Sequence, residues 1–101
     1  MSQSYDEIRR QTDRLHHRCR DFLDESQSDL GKILERETME LREDAESNKP
    51  PRTLEDRVKR IQQQLRRASD AQSTAMDARD AETLFDEYEE LRRDLHELPN
   101  Y

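Results

Sequence analysis

Two adjacent prolines, Pro50 and Pro51, sit at the middle of a chain that otherwise carries almost nothing to interrupt a helix. Each proline lacks a backbone donor, and the first of them pushes Lys49 away from helical backbone angles. The only glycine is Gly31 and the only other proline is Pro99. The sequence around this break, Ser47-Asn48-Lys49-Pro50-Pro51-Arg52-Thr53, predicts that one helix ends near Glu46. Thr53 is the expected N-cap of the next, which begins near Leu54, with Glu55 and Asp56 in a first turn that favours acids.

Composition fixes the class of structure on either side of that turn. Charged residues make up 43% of the chain and hydrophobic ones 30%. Such a balance is a mark of disorder when Pro, Gly and Ser dominate the remainder. Here the remainder is Glu, Arg, Gln, Leu and Ala, which lose little rotamer freedom in a helix. β-Branched residues are few and Asn-Gly turns are absent, so strands are not expected. The reading is an all-α protein, one helical domain over residues 1–101, of coiled-coil type.

The apolar spacing supports two arms. In the first, spanning about 4–46, Ile8, Cys19, Leu30 and Leu41 recur every eleven residues, a period close to the pitch of a straight helix. Tyr5, Leu15, Phe22, Leu23, Ile33 and Leu34 accompany them. In the second, spanning about 54–97, Leu54, Val58, Ile61, Leu65 and Ala68 form one series, and Leu84, Tyr88, Leu91, Leu95 and Leu98 another, with Phe85 beside it. Alanines at 68, 71, 75, 78 and 81 join the two series. Continuity through that stretch is the favoured expectation, and a break near 73–81 is the alternative, giving a kinked three-helix bundle. Each arm is then about 65 Å long at 1.5 Å per residue.

Charge predicts how the arms meet. With Pro50 and Pro51 at the turn, residue i faces roughly residue 100 minus i. This places Leu15 near Phe85, Ile8 near Leu91, Phe22 and Leu23 against Ala78 and Met76, Leu30 against Ala71 and Ile33 against Ala68. Residues 1–20 carry five arginines and three acids, and their counterparts at 77–97 carry nine acids and three arginines. Residues 35–46 carry six acids and two arginines, opposite 52–67 with six bases and two acids. Opposite signs face each other at both ends, which selects register more than it adds stability. A lone pair of helices buries one seam, so association is expected, as two hairpins in a four-helix bundle or a hairpin docked on another protein.

Sites with chemistry are sparse. His16, His17 and Cys19 are the nearest approach to a metal cluster, but a structural zinc site needs four ligands, and His96 projects towards residue 4. Cys19 falls in the apolar seam, where a thiol behaves as a small hydrophobe. Glutamates at 37, 40, 87, 89 and 90 read as the polar face of a coiled coil. No catalytic, cofactor-binding or metal site is expected, and no cofactor. Two basic patches stand out: Arg9, Arg10, Arg14 and Arg18; and Arg52, Arg57, Lys59, Arg60, Arg66 and Arg67. Pairing with the acidic blocks accounts for most of them, Arg66 and Arg67 least. Gly31 marks a close approach or a bend, and Tyr5, Tyr88 and Tyr101 are expected to cluster at the open end. The run from Gln11 through Leu34 resembles part of the membrane-fusion helix of SNARE proteins over under a third of the chain. Its seven-residue layers are lost after Leu23, and no family is assigned from it.

The function expected is that of a non-enzymatic interaction protein, a small coiled-coil subunit, adaptor or scaffold binding partner helices through the apolar seam. The seam comprises Ile8, Leu15, Cys19, Phe22, Leu30, Ile33, Leu41, Leu54, Val58, Ile61, Leu65, Phe85, Tyr88, Leu91 and Leu95. Partners are proteins, in a homodimer or a larger assembly. A second reading makes the acidic surface from Asp77 to Glu97 a regulator that occupies a basic, nucleic-acid-binding site on a target. A net charge of −7 argues against nucleic acid as a direct partner. One cysteine, no apolar run of membrane length and no leader-like N-terminus point to a soluble cytoplasmic or otherwise intracellular protein.

Overall fold

Helix caps divide the chain more finely than the prolines do. In the computed structural model, which describes residues 4–24, 28–70, 75–99 and 101, the chain forms four helices among the described residues. They are α1 (Tyr5–Phe22), α2 (Asp29–Glu46), α3 (Pro51–Ala68) and α4 (Ala78–His96). The two long arms of the sequence reading are therefore each broken. The first is cut between Phe22 and Asp29, where the Ser28 side chain accepts from the Gly31 backbone N–H at 3.0 Å and starts a new helix. The second is cut between Ala68 and Ala78, where Asp77 accepts from the Arg79 N–H at 2.8 Å. Such caps satisfy backbone donors that a helix start leaves unpaired. The second cut overlaps the break anticipated near 73–81; Ala71, Ser73 and Thr74 lie outside the described residues.

The central turn corrects the expected cap at Thr53. Pro50 is the N-cap of α3 and Pro51 its first residue, with no side-chain cap. Pro51 loses nothing there, because the donor it lacks has no intrahelical partner at that position. On the other side, Asn48 takes a left-handed conformation at φ 57°. Its N–H bonds the Ala45 carbonyl at 3.2 Å and the Lys49 N–H bonds the Asp44 carbonyl at 3.0 Å. This is a Schellman closure of α2, with asparagine in the place glycine most often fills.

Consecutive helices run antiparallel, and α1 also packs against α4, so each helix has two close neighbours and the four close a ring. The molecule measures 41 × 21 × 18 Å, well short of the 65 Å arms expected from unbroken helices. One end holds the α2–α3 turn, Tyr5 and Tyr101. At the other, the Asp24 N–H bonds the Ala75 carbonyl at 2.8 Å, which ties the α1–α2 and α3–α4 connections together. The core is a continuous apolar cluster in which Ile8, Leu34, Leu41, Leu54, Ile61, Leu84, Leu91 and Leu95 are all fully buried. Among the described residues, no helix is long and apolar enough to cross a membrane.

Candidate interaction surface

The apolar seam closes on itself. Ile8, Leu15, Cys19, Leu41, Leu54, Val58, Ile61, Leu65, Tyr88, Leu91 and Leu95 are buried within the single chain. Phe22, Leu30 and Phe85 are half-buried and pack against that core. Ile33 is half-exposed, and its neighbour Leu34 takes the buried position instead. Pro50 is exposed and Pro51 buried. Within α2 the inward face is Gly31, Leu34, Thr38, Leu41 and Ala45, a spacing of three and four that takes in Leu34 and passes over Ile33.

Polar side chains enter the same interior. His16 is 0% exposed and bonds Thr38 across the α1–α2 contact at 2.8 Å. Burial lowers the pKa of His16, and the nearby charges of His17, Arg20 and Arg42 lower it further. Burial pushes the Cys19 thiol up to about 12, with the Glu35 charge acting the same way. Burial likewise raises the Tyr88 phenol well above its ordinary range. A protonated thiol and an imidazole already bonded to Thr38 are poor metal ligands. His17 turns outwards to Asp13 at 3.5 Å. Among the described residues no three His, Cys, Asp or Glu side chains are placed to hold a metal ion.

The third histidine and the tyrosines fall elsewhere than expected. His96 Nε2 lies 2.6 Å from Glu55 Oε2, far from residue 4. The Tyr101 hydroxyl donates to the other oxygen of Glu55, and its ring stacks on His96 at 4.1 Å between centroids. The Tyr5 hydroxyl donates to the Lys49 carbonyl at 2.5 Å. Tyr5 and Tyr101 thus share the end of the bundle near the proline turn, while Tyr88 is buried in the interior. Glu55 is only 5% exposed. Burial alone would raise its pKa, but the Tyr101 and His96 hydrogen bonds and the charges of His96 and Lys59 leave it lowered. No pattern of apolar spacing marked Glu55, Gln62, Thr12 or Thr38 as buried; Glu55, Gln62 and Thr38 find polar partners outside their own helix, and Thr12 donates to the Arg9 carbonyl within its own.

The anticipated charge blocks do meet, as neighbours in the ring. Arg18 pairs with Glu87 at 2.9 Å, and Gln11 donates to Asp94 at 2.8 Å, joining α1 to α4. Arg57 bridges Glu40 at 2.5 Å and Asp44 at 2.8 Å, joining α3 to α2. The Asp44 hydrogen bond is the chief reason the Arg57 pKa is raised. Additional pairs, Arg42 with Asp13 at 2.8 Å and Arg92 with Glu55 at 3.5 Å, stitch α1 to α2 and α3 to α4.

Some charges stand outside these networks. Lys59, Arg60, Arg66 and Arg67 are exposed on α3 and make no ion pair among the described residues. Along the α3–α4 seam runs a groove in two joined sections. One is floored by Leu65, Ala81 and Phe85, with Arg66 and Ser69 on the α3 lip and Glu82 and Asp86 on the α4 lip. The other continues past Lys59, Gln62, Gln63 and Arg92. The Arg66 guanidinium sits over the Phe85 ring, 5.1 Å from its centroid, and not against either acid. Over Leu65, Ala81 and Phe85 the groove thus has Arg66 on one lip and Glu82 and Asp86 on the other, with no ion pair between them among the described residues. In the second section Lys59 lies across from Arg92, which pairs with Glu55 and Glu89.

No protein-family model, curated protein or solved structure matches the chain. The groove and the buried networks are therefore read on their own chemistry.

Proposed function

We propose that the chain is a non-enzymatic protein-binding module, a small helical subunit or adaptor, and that it binds through the α3–α4 groove. The observation that carries this reading is the contrast between a seam whose apolar residues are spent inside the chain and a groove in which Arg66, Glu82 and Asp86 flank Phe85 without an ion pair among the described residues. An adaptor built on the seam itself would have to open the bundle to expose Leu91 or Ile61. The groove needs no opening: Phe85 supplies a half-buried aromatic anchor, and Arg66, Glu82 and Asp86 supply direction. Charged rims of this kind steer association and choose partners, while a buried aromatic supplies most of the affinity. The rival idea of an acidic surface from 77 to 97 that mimics nucleic acid has the exposed Glu82, Asp86, Glu90 and Glu97 in its favour. Against it, Glu87, Glu89 and Asp94 of the same stretch are held by Arg18, Arg92 and Gln11.

The test is a photo-crosslinking amino acid placed at Gln63 beside the groove, with Lys32 on α2 as the control position. Expected is a crosslinked band of one defined mass from position 63 and none from position 32. Equal crosslinking from both, or none from either, contradicts the reading.

A further inference from the structure

We propose that the occupant of the α3–α4 groove is a second copy of the same chain, seated so that α3 of each copy lies along α4 of the other. The proposal rests on the reading of the groove as a binding surface and names its partner. Three features carry it. The first is the pairing of lips. Arg66 lines the α3 side and Glu82 and Asp86 the α4 side of the section over Phe85, and all three are exposed with no ion pair among the described residues; Lys59, further along, faces Arg92.

The second is register. Gln62 Nε2 donates to the Phe85 carbonyl at 3.3 Å and to Glu89 at 3.4 Å, and Glu55 meets Arg92 and His96. Level positions on α3 and α4 therefore place Arg66 at the height of Glu82 and Asp86. Closed dimers are two-fold symmetric, and face-to-face contact restricts the axis to the plane between the copies. An axis across the helices would lay α3 on α3 and bring like charges together. An axis parallel to the helices keeps every residue at its own height and exchanges the lips, so Arg66 of one copy meets Glu82 and Asp86 of the other. One axis is repulsive and the other attractive, and the charge pattern selects it.

The third feature is the narrowness of the basic lip. Neighbouring helices stand about 8–10 Å apart, close to the screening length of about 8 Å at physiological salt. A broad polyanion such as nucleic acid or an anionic membrane would therefore meet the acidic lip with the basic one and gain little. A partner that carries its own basic and acidic ridges side by side gains from both. The Phe85 rings, each half-buried under its own Arg66, are the apolar surface such a contact covers.

The experiment is sedimentation equilibrium of the full chain in about 20 mM and about 500 mM salt, where screening differs several-fold. At low salt the mass is expected to rise with concentration from 12.2 kDa towards twice that value, and high salt to reverse it. Arg66→Glu alone, and Glu82→Lys with Asp86→Lys in one chain, should each weaken the dimer about tenfold or more. An equimolar mixture of the two variants restores attraction at both contacts and should dimerise as the wild type does. Far-UV circular dichroism on each variant separates loss of association from loss of fold, and rescue in the mixture is a readout that misfolding does not give. A 12.2 kDa mass at every concentration, a dimer indifferent to Arg66→Glu, or a mixture that stays monomeric overturns the proposal. If the chain stays monomeric while position 63 crosslinks to a different protein, the second copy is wrong and the binding groove stands. If it stays monomeric and position 63 captures nothing, both fall.

Discussion

His16 Nδ1 and Thr38 Oγ1 lie 2.8 Å apart inside the bundle, joining helices whose continuity would have kept them about 33 Å apart. Thr38 has one hydroxyl proton, and it is directed to the Glu35 carbonyl at 3.1 Å. While the hydroxyl keeps that bond it accepts from His16 Nδ1–H, and in either tautomer Nδ1 is the ring nitrogen with a partner. Nε2 is buried without a partner among the described residues. A neutral ring suits this site and a charged one does not.

Stability should consequently fall on acidification through the histidine range. The folded-state pKa of His16 is lowered, so below about pH 6.5 the unfolded chain takes up a proton that the folded chain refuses. The loss sets in as pH drops past the unfolded value and stops once the folded-state value is passed, with a slope of at most about 1.4 kcal/mol per pH unit. Urea unfolding of the wild type and of His16→Gln between pH 7.5 and 5 measures it. The variant should lack that part of the slope; equal slopes would show that His16 titrates as freely in the fold as out of it.

Glu55 should behave in the opposite acid–base sense. Its pKa is lowered in the fold, so the stability it contributes is complete above the ordinary glutamate range and is lost as pH falls through its folded-state value. Glu55→Gln keeps the shape but removes the charge that Tyr101, His96 and Arg92 address. It should cost about 1–3 kcal/mol at neutral pH, with the gap to wild type closing below pH 4. Denaturant midpoints at pH 7 and pH 3.5 give both numbers.

Asn48 closes α2 in a left-handed conformation. Asn48→Ala puts a Cβ there without the local hydrogen bonding that lets asparagine tolerate it, and should cost about 1 kcal/mol. Asn48→Gly relieves the strain but forfeits the contact that the Asn48 side chain makes with Arg9, and should fall closer to wild type. Thermal unfolding of both variants ranks them; alanine equal to or better than glycine would contradict the turn geometry.

Leu34 and Ile33 are adjacent and differ in burial, so truncation should separate them. Leu34→Ala empties a fully buried site and should cost about 2–5 kcal/mol, whereas Ile33→Ala should cost well under half as much. Guanidinium unfolding reads the difference directly. A larger loss at Ile33 would mean that α2 is rotated from the orientation described.

The all-helical class, the turn at Pro50 and Pro51 and most buried apolar positions were legible because each is a local or periodic signal. The pairings of Arg18 with Glu87 and Arg57 with Glu40 were legible as charge blocks, since folding each arm in two preserves those neighbours. The break after Phe22 was not read, and the one after Ala68 stood only as the alternative near 73–81, because neither depends on Gly or Pro. They depend on Ser28 and Asp77 acting as caps, and a serine or aspartate in so polar a chain resembles many others. Missing the breaks misplaced Tyr5, Tyr88, Tyr101 and His96, and hid the contact of His16 with Thr38. Of the groove, Arg66 and Arg67 were marked as poorly accounted for. Its floor of Leu65, Ala81 and Phe85 appears only when α3 and α4 are set side by side.

Electron–electron spin resonance between labels at the exposed positions Glu7 and Glu46, with Cys19 replaced by Ala and the labelled chain diluted in unlabelled protein, tests the division of the first arm most directly. If that arm folds in two, Tyr5 bonds Lys49 and the labels lie well within the 41 Å length of the molecule. If the first arm is one helix, 39 residues separate the labels by about 58 Å at 1.5 Å each. The short distance is expected, and the long one would contradict the bundle.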